Sequence, residues 1–275
     1  YANDYKLDNT PVLGDKPNYP RLKELSKIGI KALVVDCLYA PDDRKTPSEK
    51  IAKGLLEDVL FTTDNKKCGI VITTFSSHIA RLKTISEFGR RLNREVIFVG
   101  RSLIKYVTAA NRVIKLPFFN QIQLLSYKKQ LQNILKKVNK NRDKYLLVCT
   151  GHQGEPGSIL DRIARHQLPM RLNQNDNVIF SSKTIPTPIN EENRQQLERR
   201  LKKHHVRIFD NVHTSGHGGR EDLRDLINLL KPEHVIPSHG DVRKLTAGAS
   251  LAIEMGYKLN KSVHILQNGQ MLNLT

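Results

Sequence analysis

The chain has 275 residues, 39% of them hydrophobic, and a formal net charge of +18 at pH 7. That length accommodates one large domain or two ordinary ones, and the apolar share suffices for a buried core. No apolar run reaches membrane-spanning length and the N-terminus does not read as a signal peptide. Cys37, Cys68 and Cys149 are too scattered for a disulfide framework or a thiolate zinc site, which points to a reducing cytoplasm.

In chain order, residues 9–20 are rich in turn formers. Ala32–Asp36 is a β-branched run that ends in a carboxylate, and residues 70–74, Glu95–Val99, Tyr145–Cys149, 178–180 and 206–209 repeat the pattern. Helical spacing links Ile79, Leu82 and Ile85, then Leu124, Leu131, Ile134, Leu135 and Val138, and later Leu223, Leu226, Ile227 and Leu230. This alternation predicts a mostly parallel sheet covered by helices on both faces. The runs 263–266 and 271–274, joined through Asn268-Gly269, predict a closing hairpin.

Charge narrows the partners. Lys and Arg gather at Arg90-Arg91 with Arg94, from Lys136-Lys137 to Lys144, and from Arg199 to Lys203. Any one cluster reads most simply as a solvated helix face. The whole-chain excess instead favours a polyanion such as nucleic acid, against the alternative of a basic protein from a high-salt or thermophilic host.

The polar motifs follow the predicted strands. Gly100-Arg101-Ser102, the Gly-rich segment 150–157 and Ser181-Ser182 each come directly after one. In an open α/β sheet such loops line the binding crevice, where glycines and helix N-termini accommodate anions. No Walker or G-x-G-x-x-G sequence supports a nucleotide cofactor. Two histidines share the loop His213-Thr214-Ser215-Gly216-His217-Gly218-Gly219, with a helix beginning near Arg220. A third stands in Pro237-Ser238-His239-Gly240-Asp241 after the next strand. A single histidine is usually structural; three so placed point to a metal or phosphate site. Asp36 closes a strand and Asp4 sits in Asn3-Asp4-Tyr5-Lys6-Leu7-Asp8, where a carboxylate can bind metal, orient an imidazole or cap a helix.

Taken in order, Asn3 to Asp8, Asp36, Gly100-Arg101-Ser102, the 150–156 segment, Ser181-Ser182, the two-histidine loop and the 237–241 motif resemble the ribonuclease J family, β-CASP nucleases of the metallo-β-lactamase superfamily. The likeness covers nearly the whole chain, and ending after the last two runs resembles the archaeal form. It implies an α/β fold: a β-CASP domain over residues 46–211 with a parallel-rich sheet flanked by helices. Residues 1–45 and 212–275 would be the C-terminal portion of a metallo-β-lactamase αββα domain. It implies two Zn2+ ions, with Asp4 bridging and His239 a ligand. His217 would protonate the leaving oxygen and Asp36 would orient it. His213 and Ser182, with Arg101 as a further contact, would hold an RNA phosphate. The implied substrate is 5′-monophosphorylated RNA, cleaved 5′ to 3′ or internally, and the implied assembly is a homodimer in the cytoplasm.

The chain departs from that pattern in three places. His152 stands where the family has Ser, and residues 184–190 stand where the family has a Pro-Ile-Pro-Gly-Asn type run, with extra length that would reshape the phosphate pocket. The family's His-x-His-x-Asp-His metal cluster is absent. The expectation is therefore a partner segment carrying that cluster, with this chain inactive alone. The alternatives are a non-catalytic RNA-binding fragment, or an unrelated α/β enzyme acting on a small phosphate compound.

Overall fold

A computed structural model describes residues 1–125 and 128–274. In chain order the elements begin α1 (Tyr19–Ile28), β1 (Ala32–Asp36), α2 (Glu49–Thr62), β2 (Ile70–Thr73), α3 (Ile79–Arg91) and β3 (Glu95–Val99). Next come α4 (Arg101–Ile114), β4 (Ile122–Leu125), α5 (Lys128–Lys140), β5 (Tyr145–Cys149), α6 (Ile159–Ala164) and β6 (Asn177–Phe180). The chain continues through α7 (Pro188–Lys202), β7 (Arg207–Phe209), α8 (Arg220–Leu230), β8 (His234–Ser238) and α9 (Val242–Glu254). These elements fall into two units, one formed by Tyr1–Ser48 with Thr214–Thr275 and the other by Glu49–His213.

In the first unit β1 and β8 run parallel, with Asp36 opposite Ser238. The segment around Ala2 joins β1 through a parallel bridge to Val35. The apolar sides of α8 and α9 close over this pair, burying Leu223, Ile227 and Leu251 with Val35 and Val235. Each such side chain contributes about 1.5–3 kcal/mol by leaving water. Three chain segments therefore run the same way and end at the same edge, where Asp4, Asp36 and His239 follow.

In the second unit six parallel strands lie in the order β4-β3-β5-β2-β6-β7. Strands β2 and β6 are buried along their whole length, as a sheet covered on both faces requires. One face packs Val71, Val99, Leu147 and Phe180 against Leu135 of α5, Leu160 of α6 and Leu197 of α7. Right-handed crossovers put α3 and α4 on the other face. Parallel strands bring residues 74–78, 100–102, 150–157 and 181–187 to one edge, which is the geometry the sequence predicted for the polar loops.

Two local expectations differ. Leu124 belongs to β4 rather than to a helix, and α5 begins at Lys128. β4 is a four-residue edge strand whose burial shows no alternation, so its apolar residues merge into the helical spacing that follows. The closing hairpin does not form. Its turn is present, with Gln270 N donating to Gln267 O at 3.0 Å and Gly269 at φ +83°. However, Val263 bridges to Val235, and His264 N donates to Val235 O at 3.0 Å. The first run thus spends its backbone on β8, and residues 271–274 form no strand.

Candidate active site

Asp4, Asp36, His217 and His239 each present a ligand atom within 4.8 Å of the others. Among the described residues no other group of three or more His, Cys, Asp or Glu does so. Asp36 is 1% exposed at the end of β1. One of its oxygens accepts from Leu38 N at 2.8 Å and the other lies 2.6 Å from His217 Nδ1. Asp36 holds the His217 imidazole above the ordinary histidine range through that hydrogen bond; burial pulls the other way, and the Asp36 and Asp4 charges add to the rise. The His217 ring stacks on His239 at 5.2 Å between centroids and 13° between planes. Asp4 Oδ1 is 3.5 Å from His217 Nδ1 and 3.7 Å from His239 Nε2.

The surrounding loops hold these side chains in uncommon backbone conformations. Asp4 and His239 adopt left-handed φ of +54° and +60°, a cost tolerated where surrounding bonds fix the chain. Ser238 Oγ donates to Asn3 Oδ1 at 2.7 Å, and Gly218 N donates to Tyr5 O at 2.9 Å, tying both ends of the first unit together. Thr46 Oγ1 donates to His217 O at 2.8 Å. Buried Asp222 accepts from Thr46 N at 2.7 Å and from Gly219 N at 3.0 Å. A methyl at Gly219 would collide with the carbonyl of Arg44. Asp222 reads in sequence as a surface helix acid; its signal is its place in the first turn of α8, where a carboxylate meets free amides.

The other predicted residues lie in the second unit. Ser182 is fully buried, and its Oγ has no hydrogen-bond partner among the described residues. A buried hydroxyl of that kind calls for a ligand or water. Next to it, Ser181 Oγ donates to Val212 O at 2.9 Å, which holds the 181–182 loop beside the segment leading to His213. Phe75 lies between two imidazoles, 4.3 Å from the His152 ring and 6.2 Å from that of His213. Burial pushes the His152 imidazole below its usual range, opposed by Glu155 and reinforced by Arg194. Arg101 stands exposed at the start of α4, and Ser102 Oγ is 2.9 Å from Ser76 Oγ of the neighbouring loop. No bond joins Arg101 itself to Ser182 or His213 among the described residues.

Sequence reasoning missed what holds this edge together. Gln153 bridges two loops, donating to Lys183 O at 3.0 Å and accepting from Ile185 N at 2.8 Å. Arg194 of α7 stacks on Phe180 and donates to His152 O at 3.1 Å. Arg81 of α3 is fully buried and donates to Glu49, Ser181 and Val212. In sequence these residues look like solvated polar positions, and only the fold reveals their burial.

The chain thus contains a parallel six-stranded α/β unit and a second unit whose β1–β8 pair ends in an Asp/His cluster. Residues 67–198 match the family described as Ribonuclease J, beta-CASP domain, and residues 203–266 the Zn-dependent metallo-hydrolase RNA specificity domain. Over these two stretches the chain resembles the ribonuclease J family. It is similar to the Ribonuclease J of Methanocaldococcus jannaschii, 41% identical over 274 residues, covering 99% of this chain and 61% of the relative. It is also similar to that of Pyrococcus abyssi, 43% identical over 274 residues, covering 100% and 60%. With the Ribonuclease J of Sinorhizobium meliloti it shares 30% identity over 279 residues, 46% of that protein. The chain thus spans about three-fifths of the length of its archaeal relatives.

Proposed function

We propose that this chain forms the β-CASP part and the returning metallo-β-lactamase part of a zinc-dependent ribonuclease. The enzyme digests 5′-monophosphorylated RNA from its 5′ end, with internal cleavage as a second mode. The observation that carries the reading is the convergence of Asp4, Asp36, His217 and His239 on one edge.

The donor set fits zinc. Asp4 Oδ1 and His239 Nε2 are 3.7 Å apart, close to the ~3.4 Å that separates two ligands on one tetrahedral zinc ion. Asp4 and His239 are the residues that would hold metal. When bound, a pair of such ions supplies an activated water and neutralises charge on the attacked phosphate. Two protein ligands are too few for two ions. The reading therefore includes a complementary segment with a His-x-His-x-Asp-His run, and the chain alone is expected to be inactive.

Asp36 occupies Nδ1 of His217, which leaves Nε2 to act on substrate. As the bond from phosphorus to the leaving oxygen breaks, its electron pair stays on that oxygen. The oxygen takes the Nε2 proton, and His217 recovers one from solvent. Ser182, His213 and Arg101 are assigned to the 5′-phosphate. The Lys and Arg excess holds the backbone without reading bases. No helix among the described residues is long and apolar enough to cross a membrane. Dimerisation and a cytoplasmic setting rest on family likeness alone.

The test supplies the complementary segment and zinc, and compares RNAs bearing a 5′-monophosphate or a 5′-hydroxyl. Stepwise loss of mononucleotides from the phosphorylated RNA is expected, and Ser182→Ala should erase the preference while sparing internal cleavage. Full-rate decay by the 275 residues with zinc alone would overturn the ligand assignment. RNA binding with no decay in any combination would favour the non-catalytic binding reading.

A further inference from the structure

Residues 96–142 contain ten Lys and Arg and no Asp or Glu. More than half of the chain's net charge of +18 thus lies in about a sixth of its length. All of α4 falls within this span, so the helix carries no acidic residue. Arg101, Lys105 and Arg112 are all exposed. At 100° per residue they fall within about 40° of one another around the axis, in a row about 16 Å long. None of the three has a side-chain hydrogen bond or ion pair among the described residues. Tyr106, 47% exposed, sits about 100° around the axis from Lys105, between the row and the side of the helix that buries Leu103 and Val107.

The row has a direction. α4 begins directly after β3, so Arg101 stands at the loop edge that carries Ser182 and the His152 loop. Lys105 and Arg112 lead away from it along the helix. The other cationic helix ends, Arg90-Arg91 of α3, Lys136 to Lys140 of α5 and Arg199 to Lys203 of α7, lead into the starts of β3, β5 and β7 and therefore lie at the opposite edge of the sheet. There Arg200 is already bound to Asp161 at 3.0 Å. Of these surfaces, only the α4 row begins at the loop edge.

We propose that the exposed face of α4 is a track for single-stranded RNA, holding the strand beyond the nucleotides that occupy the loop edge. The proposal rests on the ribonuclease reading. A single file of unpaired cations matches one phosphate backbone, and an exposed tyrosine on the adjoining side of the helix offers a stacking surface that only unpaired bases can use. The track contributes affinity for long RNA without sequence preference.

The test is fluorescence anisotropy with a labelled, unstructured 20-nucleotide RNA across a salt series, in EDTA so that nothing is cleaved. The double variant Lys105→Gln/Arg112→Gln changes only exposed side chains, and its melting temperature serves as the folding control. Removing two phosphate contacts should lower the log–log salt slope by about 1.4 and weaken binding roughly 25-fold at 0.1 M salt. Tyr106→Ala should weaken the single strand about tenfold and leave an RNA duplex unaffected. Lys202→Gln/Lys203→Gln removes equal charge at the opposite edge and should cost far less. Equal losses from the two double variants would reduce the effect to a general field and overturn the track. So would a Lys105/Arg112 variant within twofold of the unaltered protein. Competition by poly-glutamate with the same dependence on Lys105 and Arg112 would reassign the surface to an acidic protein. If the unaltered protein fails to bind the 20-mer even at low salt, the ribonuclease reading falls together with the track. Failure of the track alone leaves that binding intact.

Discussion

Replacing Arg81 with methionine removes the most deeply buried arginine of the second unit. The Arg81 side chain is fully buried. Its guanidinium meets Glu49 at 2.6 and 2.9 Å, Ser181 Oγ at 2.7 Å, Ser181 O at 2.9 Å and Val212 O at 3.1 Å. Glu49 is only 6% exposed, and the substitution leaves it His78 Nε2 at 3.5 Å but takes away the guanidinium. Deleting one partner of such a pair costs about 3–5 kcal/mol. For a unit of this size that amounts to a drop of about 6–20 °C in melting temperature. Calorimetry should show the drop in the transition of the Glu49–His213 unit. The cost comes largely from a buried carboxylate deprived of its guanidinium, so the double variant Arg81→Met/Glu49→Met should recover at least half of it. Arg81→Lys should recover less, because a single ammonium cannot reproduce a fork that reaches three partners. A single variant that melts within 2 °C of the unaltered protein refutes the reasoning, as does a double variant that loses the sum of both singles.

Two further outcomes follow from the same bonds. Gly154 has φ +78°, and an added methyl would strike the backbone of Asn193, whereas Gly157 has φ +77° with open space around it. Gly154→Ala should therefore cost well over the ~1 kcal/mol expected for a strained backbone alone at Gly157→Ala, read from their melting temperatures, and equal costs would contradict the packing. Asp36→Asn keeps the side-chain shape but removes the charged acceptor that raises the His217 pKa. In the assembled enzyme it should slow cleavage about 10²–10⁴-fold with zinc content unchanged. Loss of zinc in that variant would instead make Asp36 a ligand.

The parallel strands were legible because each combines β-branched residues with a polar loop, as Tyr145–Cys149 does before its Gly-rich segment. The clustering of Asp4, Asp36, His217 and His239 was legible only as a likeness. What brings the four together is the parallel register of β1 and β8 with the segment at Ala2, which no local pattern encodes. The edge strand β4 escaped because its four residues continue the spacing of the helix after it. The C-terminal hairpin misled because Asn268-Gly269 encodes a turn but not the partner of the run before it, and that partner proved to be β8. Arg81 shows the limit most clearly: in a helix otherwise rich in polar residues nothing marks one arginine as buried, since its partners are spread over more than a hundred residues of chain.

The central claim, that Asp4 and His239 grip metal while His217 serves the leaving group, comes down to zinc affinity. It is measured in the assembled protein by competition with a chromophoric chelator. His239→Ala should weaken zinc binding by more than the 10–100-fold that loss of a supporting partner costs, and His217→Ala should change it only a few-fold. Zinc lost with His217→Ala and retained with His239→Ala would contradict the account.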